Sequence, residues 1–164
     1  MKLCDICGSN EIYCEHGDVA FCEKHSVVYC DCDKALHSST LFTEIRKILE
    51  TGWSIQTTYP ECRQEYPDRP KSFGQCYATA RVLNHVFGWG IMKCESYYSA
   101  RHFWNRLPNG REIDFALDQF SEADGKFGKP PLTGKPVKRK YKTMIPRIKR
   151  LLKAVEEPLR KLQV

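Results

Sequence analysis

The chain has 164 residues, 41% hydrophobic and 12% aromatic, which excludes wholesale disorder and allows one ordinary domain with a small stapled module beside it. There is no run of about 18 or more consecutive apolar residues, so no transmembrane helix is expected, and the first residues lack the apolar stretch of a signal peptide. The formal charge is +6, but residues 126–164 carry 13 Lys and Arg against two acids, so the rest of the chain is net acidic.

A chain with these features is expected in a reducing cytoplasm. Nine cysteines then point to metal ligands or catalytic groups rather than to disulfides. Six of them, Cys4, Cys7, Cys14, Cys22, Cys30 and Cys32, fall at the N-terminus, interleaved with His16, His25 and His37. Residues 1–38 hold few large apolar side chains and need a staple such as zinc. The pair Cys4-x2-Cys7 lets two thiolates grip one tetrahedral ion from a tight turn, with Gly8 suiting that turn. Cys22-x2-His25 completes a Cys3His set for one Zn2+. Cys14, His16, Cys30, Cys32 and His37 remain as five candidates for the four places of a second ion.

This stretch resembles a B-box-type zinc finger in the order of its Cys and His residues. The likeness extends to Tyr29-Cys30-Asp31-Cys32-Asp33-Lys34-Ala35-Leu36-His37, although one residue is missing between Cys30 and Cys32. The resemblance implies a protein-docking module. The plainer reading is a structural zinc knob without a partner.

Ser38 to Glu50 predicts a helix, with Ser39 or Thr40 as cap, Leu41, Ile45, Ile48 and Leu49 at helical spacing, and Thr51-Gly52 as its end. A polar, proline-containing loop from Tyr59 to Ser72 follows, either a flap on the substrate side or a simple connection. Gly74 permits a turn, and a second helix begins at Cys76, with Ala80, Leu83 and Phe87 on the same face and Gly88 as C-cap. A cysteine in the first helical turn meets N–H groups and a dipole that stabilise a thiolate and can hold an oxyanion. The opposing reading is a buried small hydrophobe.

Three strands are expected next, at 91–98, 102–107 and 111–116, the last two joined through Pro108-Asn109-Gly110. Hairpin register decides whether His102 and Asp114 meet. A two-residue Asn-Gly turn puts them on opposite faces. A three-residue loop pairs 107 with 111 and 104 with 114, leaving His102 and Asp114 as diagonal neighbours about 7–8 Å apart at the backbone. Cys76 as nucleophile, His102 as base and Asp114 as its orienting acid follow the chain order of papain-like and transglutaminase-like folds. Gln75 is a candidate oxyanion donor or a helix cap. Trp104 either lines the substrate side or packs in the core. Glu112 shares the face of Asp114 and is the alternative acid. His85, Cys62 and Cys94 read as structural.

Several of these segments resemble the bacterial YunG-like family. They are Trp53-Ser54 with Thr57, Gly74-Gln75-Cys76 with Ala78-Thr79-Ala80, His102-Phe103-Trp104-Asn105-Arg106-Leu107-Pro108-Asn109-Gly110, and Asp114 with Asp118-Gln119-Phe120. The match spans about residues 45–120, with Arg101 before the His and Phe115-Ala116 after the Asp as departures. It implies a papain-like fold carrying the Cys/His/Asp set and leaves the substrate open.

Residues 125–143 read as a linker. Met144 to Leu162 forms an amphipathic helix, with Ile145, Ile148, Leu151, Leu152, Val155, Leu159 and Leu162 on its apolar face and Arg147, Lys149, Arg150 and Lys153 opposite. Nucleic acid or an anionic surface could meet that basic face. The plainer reading packs the helix on its own domain.

The expected class is therefore α+β: a zinc module over 1–38, a small papain-like domain over 39–124, with a helix carrying Cys76 packed on an antiparallel sheet, and a basic helical region over 125–164. The expected activity is acyl transfer on an amide bond of a protein or peptide substrate, of peptidase, isopeptidase or deamidase type. The alternative is a non-catalytic, zinc-dependent protein-interaction or nucleic-acid-binding adaptor on the same scaffold.

Overall fold

The computed structural model describes residues 12–13, 19–22, 27–30, 40–97, 100–120, 134–137 and 144–162. Near the N-terminus, β1 (Ile12–Tyr13), β2 (Val19–Cys22) and β3 (Val27–Cys30) form a small antiparallel sheet. Its register sets Cys22 opposite Val27 and Cys30 opposite Val19, at the two ends of the β2–β3 pair. The other seven candidate zinc ligands, Cys4, Cys7, Cys14, His16, His25, Cys32 and His37, lie outside the described residues.

The main body is mixed helix and antiparallel sheet. Helix α1 (Thr40–Gly52) is followed by two short 3-10 turns, Pro60–Cys62 and Tyr66–Asp68, and then by α2 (Cys76–Phe87). Strands β4 (Gly90–Tyr97), β5 (Ala100–Arg106), β6 (Glu112–Ile113) and β7 (Lys135–Pro136) make a four-stranded sheet ordered β6-β5-β4-β7, and α3 (Pro146–Lys161) ends the described fold. No helix among the described residues is long and apolar enough to cross a membrane.

The helical periodicities translate directly into burial. Leu41, Ile45 and Leu49 of α1, Leu83 and Phe87 of α2, and Ile148, Leu151, Val155 and Leu159 of α3 are buried in one core with Trp89, Ile113 and Phe115. Ile48, Leu152 and Leu162 are partly buried against it, and Ile145 is exposed. Four buried aliphatic side chains on α3 stabilise the fold by about 6–12 kcal/mol at ~1.5–3 kcal/mol each. Helix α3 is thus a structural part of the body, with Lys149, Arg150 and Lys153 exposed on its outer face.

Gly52 is the last residue of α1, and its role is close approach as well as termination. A Cβ there would lie 2.7 Å from both Leu151 Cδ1 and Val155 Cγ1 of α3. Gly88 caps α2 in the left-handed conformation, φ 74°, and donates its N–H to the Asn84 carbonyl.

The β5–β6 hairpin has the three-residue loop. Asn105 pairs with Ile113 and Arg106 with Glu112, and the Leu107 N–H donates to the Arg111 carbonyl at 2.8 Å. The third strand is shorter than its sequence pattern because Asp114 interrupts it: Oδ1 accepts the Ala116 N–H at 2.9 Å, turning the chain into a 3-10 segment at Leu117–Gln119. In the β4–β5 pair, the register shifts just beyond Cys94 opposite His102. That irregularity falls beside His102, in keeping with the way bulges re-aim side chains near active sites.

Candidate active site

Cys76 is half-buried at the first position of α2. A web of short-range hydrogen bonds places it. Ser54 and Thr57 close a turn in which Thr57 Oγ1 accepts the Ser54 N–H at 2.8 Å, and the Ser54 carbonyl then accepts the Gln75 side-chain amide at 3.0 Å. Thr58 Oγ1 donates to the Phe73 carbonyl, and the Tyr59 N–H donates to the Gly74 carbonyl at 2.9 Å. Gly74 takes φ 69°, a conformation that β-carbon sterics disfavour, and so turns the chain into the helix. Trp53 Nε1 donates to Thr79 Oγ1 at 3.0 Å and ties the end of α1 to α2.

His102 and Asp114 are both buried, at 2% and 1% exposure, with His102 Nε2 2.5 Å from Asp114 Oδ2. An acceptor carboxylate on Nε2 requires the proton there, which leaves Nδ1 to face the rest of the site. Cys76 lies within electrostatic reach of His102 and acts, like Asp114, to raise its pKa. Burial alone pushes the His102 pKa down, but the Asp114 carboxylate and Cys76 outweigh it, and the imidazole is raised to about 10.

The remaining candidates divide by what they touch. Gln75 is fully buried, and its amide N–H is held by Ser54 while its Oε1 has no partner among the described residues. Trp104 is buried with its ring stacked on His102 at 5.6 Å, and its N–H donates to Glu112 Oε2 at 2.7 Å. The indole is therefore a packing surface for the imidazole. Glu112 is engaged by Trp104 and by Arg106 at 2.7 Å. Asp114 is the acid that reaches His102.

The segment after Asp114 closes over the imidazole. Gln119 Nε2 is 3.3 Å from His102 Nδ1 and also donates to the Ala116 carbonyl at 2.8 Å. The Phe120 ring meets His102 edge-on at 4.9 Å. Arg46 of α1 anchors this segment. Its guanidinium binds both oxygens of Asp118, at 3.0 and 2.5 Å, and the Phe115 carbonyl, while Nε binds Glu50 at 2.6 Å.

The sequence model of the YunG protein family matches residues 41–160. The chain belongs to the YunG family. No curated protein and no solved structure matches it. The YunG match runs through α3, past the last of the short motifs at Phe120, in keeping with the place of α3 in the core.

Within this YunG domain, two residues at the site carry no signal in a single sequence. Arg46 looks like any polar-face arginine of α1. By sequence, Arg147 falls among the basic residues of the last helix. It is half-buried instead, its guanidinium carbon 5.4 Å from the Tyr59 ring centroid and 5.7 Å from the Tyr77 ring centroid. Burial pushes its pKa down, and Cys76, Tyr77 and Tyr59 oppose that shift. Cys62 is another neighbour of the thiol, and burial together with Cys76 pushes the Cys62 pKa up. Among the described residues no group of three or more His, Cys, Asp or Glu is placed to hold a metal ion.

Proposed function

We propose that this YunG family member is a cysteine-nucleophile acyl-transfer enzyme acting on an amide bond, of peptidase, isopeptidase or deamidase type. The observation that carries this reading is the buried His102–Asp114 pair, joined at Nε2 and within electrostatic reach of Cys76 at the start of α2. A helix-borne cysteine beside an antiparallel sheet whose adjacent strands carry His and Asp also supports a papain-like arrangement.

Each chemical step has a residue to perform it. With the imidazolium of His102 beside it, the thiolate form of Cys76 attacks the amide carbonyl carbon through Sγ. The oxyanion that forms is met by N–H groups of the first turn of α2, which lack intrahelical acceptors. His102 passes its proton to the leaving nitrogen, the C–N bond breaks, and a thioester remains on Cys76. Water, or an amine in a transferase, then gives its proton to His102 as its oxygen or nitrogen attacks the thioester, and Cys76 leaves. Asp114 keeps the ring oriented and offsets its positive charge throughout.

The N-terminal residues would supply docking. Cys4, Cys7, Cys22 and His25 would hold one Zn2+, and four of Cys14, His16, Cys30, Cys32 and His37 a second. Zinc in closed four-ligand sites has no open position, so its part is to order the module. Elemental analysis of the purified chain is expected to give one or two zinc ions per molecule, and none would end that assignment.

Alkylation of the three thiols of the main body at neutral pH tests the catalytic reading. Cys76 is expected to react with iodoacetamide at least about tenfold faster than Cys62 or Cys94, and His102→Ala to remove the excess. Equal rates at all three, unchanged by His102→Ala, would leave the domain as an inert scaffold for an adaptor.

A further inference from the structure

The environment of Arg147 is unusual for a residue on the basic face of a surface helix. It sits in the first turn of α3, where the helix starts at Pro146. Its guanidinium lies over two tyrosine rings, and Nη1 donates to the Thr57 carbonyl at 3.4 Å. Tyr77 is the residue next to Cys76, and Tyr59 is tied to Gly74 by a backbone hydrogen bond. The two rings that frame Arg147 therefore belong to the segments that place the nucleophile.

No carboxylate among the described residues pairs with this cation. The salt bridges of three other arginines show the contrast. Arg46 has Asp118 and Glu50, Arg106 has Glu112, and Arg160 has Glu156. Arg147 has a carbonyl oxygen and ring faces, which leave most of its five N–H donors uncommitted. A second cation stands near: Arg63, exposed on the loop after Pro60–Cys62, repels the charge of Arg147 and likewise lacks a carboxylate partner among the described residues. The acids of that loop, Glu61 and Glu65, are exposed, and Glu65 is paired with Arg69 at 3.0 Å. Two guanidinium groups held within each other's field, one of them half-buried against aromatic faces, are stabilised when an anion enters between them.

We propose that Arg147, framed by Tyr59 and Tyr77 and assisted by Arg63, is the specificity-determining residue of the Cys76 site, binding a carboxylate of the acyl substrate close to the scissile carbonyl. This rests on the reading of Cys76 as nucleophile and adds the substrate class: an amide whose acyl part carries a negative charge near the reacting carbon. Arg147 and Cys76 act on each other electrostatically, and the Tyr77 ring under the guanidinium belongs to the residue next to Cys76. A planar guanidinium grips a carboxylate through two parallel hydrogen bonds, so the residue would fix orientation as well as charge.

Two small alkylating agents separate the effects. Iodoacetate and iodoacetamide react with the same thiolate by the same displacement, sulfur–carbon bond formed and iodide released, and differ in carrying a carboxylate or a neutral amide. The ratio of their rates at one thiol therefore cancels its thiolate fraction. With the full chain, the iodoacetate-to-iodoacetamide ratio at Cys76 is expected to exceed that of glutathione by about tenfold, the scale of one charge pair at a partly screened site.

Arg147→Gln should return the ratio to the glutathione value. Arg147→Lys should keep part of the preference and shows that the fold tolerates change at this position, and Arg63→Gln should lower the ratio less than Arg147→Gln does. A wild-type ratio equal to that of glutathione, or one that Arg147→Gln leaves unchanged, overturns the inference. The absolute iodoacetamide rate at Cys76 reads the catalytic proposal separately, so the two can fail independently.

Discussion

Asp114 and His102 are joined through one carboxylate oxygen while the other oxygen of the same group ends β6 by accepting the Ala116 N–H. The residue that orients the imidazole is thus also the residue that turns the chain toward Gln119 and Phe120. Fixing the acid at both oxygens removes its rotational freedom before any substrate arrives, and a pre-ordered acid holds the ring without a further entropic cost.

The charge of that pair should be visible as a function of pH. Asp114 and Cys76 hold His102 at about 10, above the ordinary value of 6.5, against the opposing effect of burial. A folded-state value raised in this way contributes stability that is fully present below 6.5 and is lost as pH rises through about 10. Asp114→Asn removes the main raising charge and leaves burial opposed by Cys76 alone, so His102 in that variant should titrate well below about 10 by NMR. The gap in urea midpoint between wild type and Asp114→Asn should be widest near pH ~6 and narrow toward pH ~10. A gap that grows with pH would contradict the ion pair.

Arg46 tests whether the His102 pocket is held from a distance. Its bond to Asp118 is partly buried, with the two side chains at 12% and 11% exposure. Arg46→Ala would leave the Asp118 carboxylate and the Phe115 carbonyl without their donor, a cost of about 2–3 kcal/mol. Gln119 and Phe120 follow Asp118 directly, so their contacts with His102 should loosen. The expected result is a lower melting temperature together with a shifted His102 titration. Arg46→Lys keeps the charge but loses the two-pronged bond, and should fall between wild type and Arg46→Ala in both measurements.

Much of this arrangement could be read from residue spacing. Cys76 at a helix start followed from Gly74 before it and the Ala80, Leu83, Phe87 face after it. The meeting of His102 and Asp114 reduced to the length of one hairpin loop, and the Leu107–Arg111 pairing supplies the three-residue form. Helix α3 was legible as amphipathic, but its apolar stripe does not say which surface it covers. The position of Arg147 against Tyr59 and Tyr77 depends on how α3 lies against α1 and α2, a contact between distant parts of the chain. The same holds for Arg46, which is 72 residues from Asp118 in sequence. Local periodicity reports the face a helix buries, whereas a polar residue at the rim of that face takes its role from whichever segment arrives there.

Gly74 offers the sharpest test of how Cys76 is placed. The glycines at the two ends of α2 adopt similar left-handed backbones, Gly74 at φ 69° and Gly88 at φ 74°. A β-carbon on Gly88 meets nothing within 4 Å, so Gly88→Ala costs the backbone penalty alone, about 1 kcal/mol. A β-carbon on Gly74 would collide with Thr58 Oγ1 and lie 2.9 Å from Cys62 Cβ. The Cys62 β-carbon cannot turn aside without moving its backbone, so overpacking adds about 1–3 kcal/mol to the same penalty. Gly74→Ala should therefore lower the melting temperature more than Gly88→Ala does. It should also displace the Thr58–Phe73 and Tyr59–Gly74 hydrogen bonds that set the start of α2, and so slow Cys76 alkylation. Gly88→Ala should leave that rate unchanged, because the Asn84 cap it perturbs is at the far end of the helix. Equal effects of the two substitutions on the thiol would mean that the turn at Gly74 does not position Cys76.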